Sequence, residues 1–514
     1  MSFNEDYLFW RTIRTLTQEY GYSMITMSES QNEVWLEDNK NSNSVIRLMR
    51  IDFDWAIALK KDLNRTALVG ENIRKKLFKK PISIINLYFT KFKPVDDYAA
   101  YETNQIKNNK TTISTTIIDS LSFKEGLQKV EEKLQINLEQ VKVIPEDISE
   151  ENIAQLKNSA IQASLEKRQE EQNMFQYGKP FLTKVFLAIQ IIIFIAMEIV
   201  GSSESNITLV EFGAKYNPLI LDGEWWRFIM PIFIHIGFLH ILMNSVALYY
   251  IGSEVERLYG SIRFFFIYLF AGFAGVLASF IFSTNISAGA SGAIFGCFGA
   301  LLYFGIAHPK LFLRAMGTNI IVLIVINLLM GFIISEIDNA GHIGGLLGGF
   351  AAAAVVGLPK AKKPLFRIFG GVALVLVTIF LLNYGFDKQR NANQDVALAS
   401  LAQEYINKGE NEKAKKILLS SINNDIISPN AYFFLGNFSI DEKDFDQAQK
   451  YYKKAIELNP EFHQAHFNLA LTYLQNNEVS EAKKHVDKAL ELNPNDEAYT
   501  KVSDQIKAWL QQNK

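Results

Sequence analysis

Gly289-Ala290-Ser291-Gly292-Ala293-Ile294-Phe295-Gly296 and, further along, Ala340-Gly341-His342-Ile343-Gly344-Gly345 are the two stretches on which the fold turns. Each opens an apolar run, so each reads as the start of a helix inside a bilayer. Gly292 and Gly296 on the first, with Gly341, Gly344, Gly345, Gly348 and Gly349 on the second, give the small-residue spacing that lets membrane helices touch backbone to backbone. Such a seam brings the Ser291 hydroxyl near the His342 imidazole. Taken alone, GASGAIFG is ordinary helix packing; a histidine on the partner helix gives it a chemical reading. A serine is a poor nucleophile at neutral pH until a neighbouring base accepts its proton.

Working outward, seven apolar segments are found at 182–200, 237–256, 262–282, 291–307, 316–335, 341–358 and 367–385. Each is close to the roughly 20 residues a hydrocarbon core demands of a helix. Basic residues favour cytoplasmic loops. Lys167, Arg168 and Lys179 precede the first segment and Lys184 stands in its first turn; Arg257 and Arg263, then Lys310 and Arg314, then Lys360, Lys362, Lys363 and Arg367 follow the second, fourth and sixth. The loops after the third and fifth hold none, and the long loop after the first holds only Lys215 and Arg227. The amino-terminal part is therefore expected inside and the carboxyl-terminal part outside, with Lys388 and Arg390 running against that assignment. The second, fourth and sixth helices then all enter from outside, which sets Ser291 and His342 at similar depth.

The chain of 514 residues is too long for one core. Residues 1–176 are polar, with strand-like runs NEVWLED, SVIRLMRID and ISIINLYFT and a charged helical stretch from Glu151 to Glu171, so a soluble α+β domain is expected there. Residues 177–386 form the membrane domain. From 395 to 514 the sequence repeats: Ala402, Gly436 and Ala470 are 34 residues apart, as are Ala414, Ala448 and Ala482, and KKAIELNP and DKALELNP end in Pro460 and Pro494. This resembles the tetratricopeptide repeat, an α-solenoid whose groove takes a peptide or partner protein. The start, MSFNEDYLFWRTIRTL, lacks the pattern of a signal peptide, so the first apolar helix is expected to serve as the membrane signal.

Composition narrows the chemistry. A net charge of -2 argues against nucleic acid as partner. One cysteine, Cys297, allows neither an intrachain disulfide nor a multi-cysteine metal site. Seven histidines are present, none before His235. His235, His240 and His342 lie near the outward ends of the second and sixth helices, where polar groups are costly in lipid and face the bundle interior. His240 and Asn244, four apart, share one helix face; with the Ser291 N–H they are placed to form an oxyanion hole. Phe295, one turn after Ser291, is placed to stack on the His342 ring. Asp338 falls in an outer loop, so a dyad is expected, not a triad. Glu198 has no reading.

The order Trp226-Arg227, His240-x-x-x-Asn244, Gly289-Ala290-Ser291-Gly292 and Ala340-Gly341-His342-Ile343-Gly344-Gly345 resembles the rhomboid intramembrane serine proteases over about residues 180–360. The resemblance implies a polytopic α-helical membrane protein with a six-helix core, to which this chain adds a seventh helix. It implies Ser291 as nucleophile, His342 as base, and His240 with Asn244 at the oxyanion. It sets Trp226 and Arg227 in a membrane-embedded first loop, and Glu256 with Gly260 at the inner end of the second helix. Phe295 departs from the tyrosine frequent in relatives. The soluble inner domain and the repeats resemble the layout of GluP-type rhomboids of Gram-positive bacteria. The expected activity is cleavage of peptide bonds in or next to transmembrane helices of substrate proteins, near the outer face of the bacterial cell membrane, with no cofactor and no metal. Two other readings compete: a non-catalytic adaptor that binds membrane proteins, and a metal-dependent hydrolase using His235, His240 and His342. A loose likeness of the inner domain to a nuclease core is set aside on charge.

Overall fold

The structure, a computed structural model, describes all residues except 1–2, 39–42, 76–80, 146–147, 335–336, 360–363, 391–393, 425 and 513–514. Lys360, Lys362 and Lys363, which carry part of the charge asymmetry, lie outside the described residues. The chain divides into two compact units, Met1–Met174 and Phe175–Lys514.

In the first unit, strand residues alternate faces with the period of two that the pleat imposes. Strands β1 (Ser23–Met27), β2 (Glu33–Glu37), β3 (Ser44–Arg50), β4 (Ile82–Thr90), β5 (Ile106–Asn108) and β6 (Thr111–Asp119) form one sheet in the order β1-β2-β3-β4-β6-β5. β1 to β3 form an antiparallel meander; β3, β4 and β6 run parallel, and β5 is an antiparallel edge. Along β4, Ile84 packs with Trp35, Val45 and Ala67, while Ile85, Leu87 and Phe89 face Phe9, Ile13 and Leu127 on the opposite side. Arg47 on β3 is fully buried, its guanidinium 2.7 Å from both Glu33 and Asp62. A buried cation persists only when paired in this way.

In the second unit, five helices among the described residues are long and apolar enough to cross a membrane: Leu182–Val200, Ser261–Phe282, Pro309–Ile333, Asn339–Val356 and Leu365–Gln389. Ser291–Ala307 is apolar but shorter, at 17 residues. The second expected span is helical from Gly237 to Tyr259, with a π turn at Leu248–Gly252. The fifth begins earlier than the sequence suggested, at Pro309, and passes through a π turn at Leu313–Gly317. Ser261–Phe282 is over half buried in the bundle, whereas Leu365–Gln389 has no buried residue in its most apolar window and lies at the periphery. At the Tyr259 end of the second span, the buried Glu256 carboxylate accepts from the N–H groups of Phe181, Leu182 and Thr183 and from Ser261 Oγ, capping the first membrane helix. Those N–H groups have no partner within their own helix.

The repeat region consists of helix pairs beginning at Asp395, Pro429 and His463 and a last helix at Glu497, so the 34-residue spacing recurs in the helix starts. Ala402, Ala414, Ala448, Ala455, Ala470, Ala482 and Ala489 are all fully buried at the helix contacts. The first pair is not free of the membrane bundle. Ile207, Val210 and Tyr216, from the loop after the first membrane helix, share one apolar core with Leu398, Leu401, Tyr405 and Leu418. Ser205 Oγ donates to Glu404, Lys413 pairs with Glu211 at 2.9 Å, and Asn424 bonds Asp222 at 3.1 Å around that core.

Candidate active site

Two helices supply the centre of the site: the serine helix, Ser291–Ala307, and the histidine helix, Asn339–Val356. Their contact is made by glycine. A Cβ on Gly345 would overlap the carbonyl of Gly292, and one on Gly349 would overlap that of Gly296. Backbones this close leave no room for any side chain, so the composition of the seam dictates the separation of the helices. The Ser261–Phe282 helix joins the same packing, since a Cβ on Gly275 would lie 2.8 Å from the Gly341 carbonyl oxygen.

Ser291 is the first residue of its helix and is half-buried. The first N–H groups of a helix point outward without intrahelical partners, which leaves donors at the Ser291 end. Gly289, two residues before, has φ +138, a conformation that L side chains rarely adopt, and donates its N–H to the Pro231 carbonyl at 2.8 Å. A Cβ there would sit 2.7 Å from Cε1 of His240 and 2.8 Å from its Nε2. Glycine therefore serves twice at this position, for the turn and for the approach of an imidazole to the backbone.

Asn244 lies on the same side, its Nδ2 3.8 Å from that Cβ position, and donates one amide hydrogen to the His240 carbonyl at 3.1 Å. The second amide hydrogen remains available, because a primary amide carries two. His342 is buried and stacks on Phe295, with ring centroids 4.2 Å apart and planes 12° apart. Its Nδ1 has no hydrogen-bond partner among the described residues, and no direct hydrogen bond to Ser291 is formed among them. Stacking, not a carboxylate, holds the ring. Apo dyads often tighten only when substrate arrives.

The remaining sequence candidates lie in the first loop. Arg227 is buried and donates to the carbonyls of Val210 and Ala214 at 2.8 and 2.9 Å, with Glu224 at 2.6 Å, so it braces the loop. None of these bonds reaches Ser291 or His342. Trp226 is 53% exposed. His235, which sequence reasoning gave no specific part outside the metal reading, is fully buried and accepts the Ala290 N–H through Nε2 at 3.3 Å. It meets His240 edge to face, centroids 5.4 Å apart. Its closeness in sequence to His240 was the only available signal. Glu198, also without a reading, accepts the Ser203 N–H at the end of its helix.

Comparison with known proteins gives the family. Residues 222–359 match the Rhomboid domain. The chain is 38% identical to the rhomboid protease GluP of Bacillus subtilis over 473 residues, covering 90% of each protein. The chain belongs to the rhomboid protease family. As a rhomboid, it is a multi-pass membrane protein and a serine protease. Its rhomboid part is also 35% identical over 150 residues to the putative rhomboid protease YdcA of Bacillus subtilis, covering 29% of this chain and 75% of that one. It is 38% identical over 148 residues to RHOMBOID-like protein 5 of Arabidopsis thaliana, covering 28% and 48%. Residues 439–506 of this rhomboid match the tetratricopeptide repeat.

Proposed function

We propose that this rhomboid cleaves transmembrane proteins through a Ser291–His342 dyad at the outer face of the bacterial cell membrane. Ser291 Oγ attacks the scissile carbonyl and passes its proton to the His342 ring. The oxyanion is held by the Ser291 N–H with His240 and Asn244. The tetrahedral intermediate collapses as His342 gives that proton to the leaving amine, which leaves an acyl-enzyme. Water then attacks the ester, its proton taken by His342 and returned to Ser291, so the enzyme is restored. Phe295 orients the imidazole, and Gly289 and Gly292 supply the turn and the seam. Trp226 and Arg227 act through the first loop.

The observation that carries this reading is the glycine seam between the serine and histidine helices, with His342 stacked on Phe295, one turn after Ser291. Seven crossings, with residues 1–176 in the cytoplasm and the repeats outside, follow from the loop charges. The packing of the first repeat pair on the loop after the first membrane helix fits that topology. Since an intact helix hides its carbonyls in hydrogen bonds, substrates should carry helix-weakening residues at the cut. The repeats present a groove for recruiting protein partners. The test is cleavage of a single-span reporter by the full chain in vesicles. Ser291→Ala and His342→Ala should each abolish cleavage; if both cut like the parent, the dyad is wrong and an adaptor role replaces it.

A further inference from the structure

The segment from 283 to 290 joins the Ser261–Phe282 helix to Ser291, and it is held by two residues that no catalytic role uses. Lys215, fully buried, donates from Nζ to the carbonyls of Ser283 and Asn285 at 2.7 and 2.9 Å. Its backbone forms an antiparallel bridge with Ser287, N–H to carbonyl distances being 2.9 and 3.1 Å. The second residue is Asp338. Its Oδ1 accepts the Gly341 N–H at 2.9 Å, and its backbone carbonyl accepts the His342 N–H at 3.0 Å, so it caps the histidine helix. Its Oδ2 accepts from Ser287 Oγ at 2.9 Å.

A cap needs a single oxygen, and serine, threonine or asparagine would supply it. The second oxygen of Asp338 is spent instead on the strand leading into Ser291. One carboxylate thereby ties the start of the histidine helix to the residue four before the nucleophile.

We propose that Asp338 and Ser287 form a latch that fixes the distance between Ser291 and His342, with Lys215 anchoring the same segment. These are positioning residues; none touches the reacting atoms. The proposal rests on the dyad reading. It also assigns Asp338 a part that its loop position concealed: it orients the dyad through backbone, not through the imidazole.

Ser287→Ala tests the latch, because it removes the hydroxyl and leaves the Asp338 cap intact. In the full chain reconstituted in vesicles, kcat for a single-span reporter should fall about 10- to 100-fold, the loss expected from a displacement of ~1 Å at a catalytic pair. KM should stay within about twofold. Labelling of Ser291 by a fluorophosphonate should slow by the same factor as kcat, while the thermal unfolding midpoint is unchanged. Ser287→Thr should restore the rate, and Lys215→Met should lower kcat in the same sense. A parent-like kcat in Ser287→Ala overturns the latch. So does a lost rate that comes with a lowered midpoint and is not recovered by threonine. Ser291→Ala run alongside separates the two readings: if it still cleaves, the dyad itself has failed, whereas a dead Ser291→Ala beside a fully active Ser287→Ala removes the latch alone.

Discussion

Replacing Gly345 by alanine should damage catalysis far out of proportion to one methyl group. The added Cβ would lie 2.9 Å from Cα of Gly292, in addition to its overlap with the Gly292 carbonyl. Carbon atoms pack at about 3.5–4.0 Å, so the serine and histidine helices must separate by about 0.5–1 Å or more. Overpacking of this kind costs roughly 1–3 kcal/mol in stability. The kinetic effect should be larger, because a displacement of about 1 Å at a catalytic pair costs about 10²-fold in rate. Gly370→Ala is the matched control: its Cβ would meet only Val355 Cγ2, at an ordinary 3.7 Å, on the peripheral Leu365–Gln389 helix. Both variants should be assayed as purified full chains for reporter cleavage and for fluorophosphonate labelling of Ser291. Gly345→Ala should fall about 100-fold in both, with Gly370→Ala unchanged. A Gly345→Ala enzyme with parent activity would refute the claim that the glycine seam sets the active-site geometry.

Three further outcomes are expected. Asn244→Ala should lower kcat by about 10²–10³, the usual loss for one oxyanion donor, and a loss confined to KM would remove it from that role. Leu401→Asp places a carboxylate in the apolar contact between the first repeat pair and the first loop. Because a buried unpaired charge costs several kcal/mol, it should release the repeats, seen as faster cutting just before Asp395 by an added protease; unchanged cutting would mean that the contact does not hold them. In the repeats, burial, then His466 alongside, then Lys484 and Lys453 pull the His485 imidazole down to about 4. Its unfolded value is about 6.5, so the unfolded chain binds the proton more readily. Repeat stability should therefore be full above about 6.5 and fall as pH drops toward about 4. A thermal midpoint of isolated 395–514 that stays flat across that window, or equal losses in His485→Phe, would contradict it.

The membrane helices were legible because hydrocarbon imposes a length and an apolar composition that no loop shares. The spans 182–200 and 291–307 coincide with Leu182–Val200 and Ser291–Ala307. The repeats were legible because a fixed helix–turn–helix geometry imposes a fixed period. In the first unit, NEVWLED, SVIRLMRID and ISIINLYFT are the strands β2, β3 and β4, whose apolar residues face two cores. β6 escaped because TTISTTIID does not alternate apolar with polar residues, even though threonine is itself a strand former and Thr115 and Thr116 are buried. β1 and β5, the outer strands, are short and weakly patterned. The catalytic candidates on helices could be ranked by spacing. What surrounds them could not, since His235 on Ala290, Asp338 on Ser287 and Lys215 on Ser283 all depend on how loops return to the bundle. The seating of the first repeat pair on Ile207, Val210 and Tyr216 is equally silent in sequence, because these read as ordinary loop apolar residues.

The proposed dyad activates a hydroxyl at the start of one glycine-packed helix through an imidazole on its neighbour. It is tested most directly by the rate at which a fluorophosphonate reacts with the purified full chain, with the adduct located by peptide mass spectrometry. The parent should carry the adduct on Ser291, Ser291→Ala should carry none, and His342→Ala should react about 10²–10⁴ times more slowly. Modification of His342→Ala at the parent rate, or an adduct on a residue other than Ser291, would contradict the account.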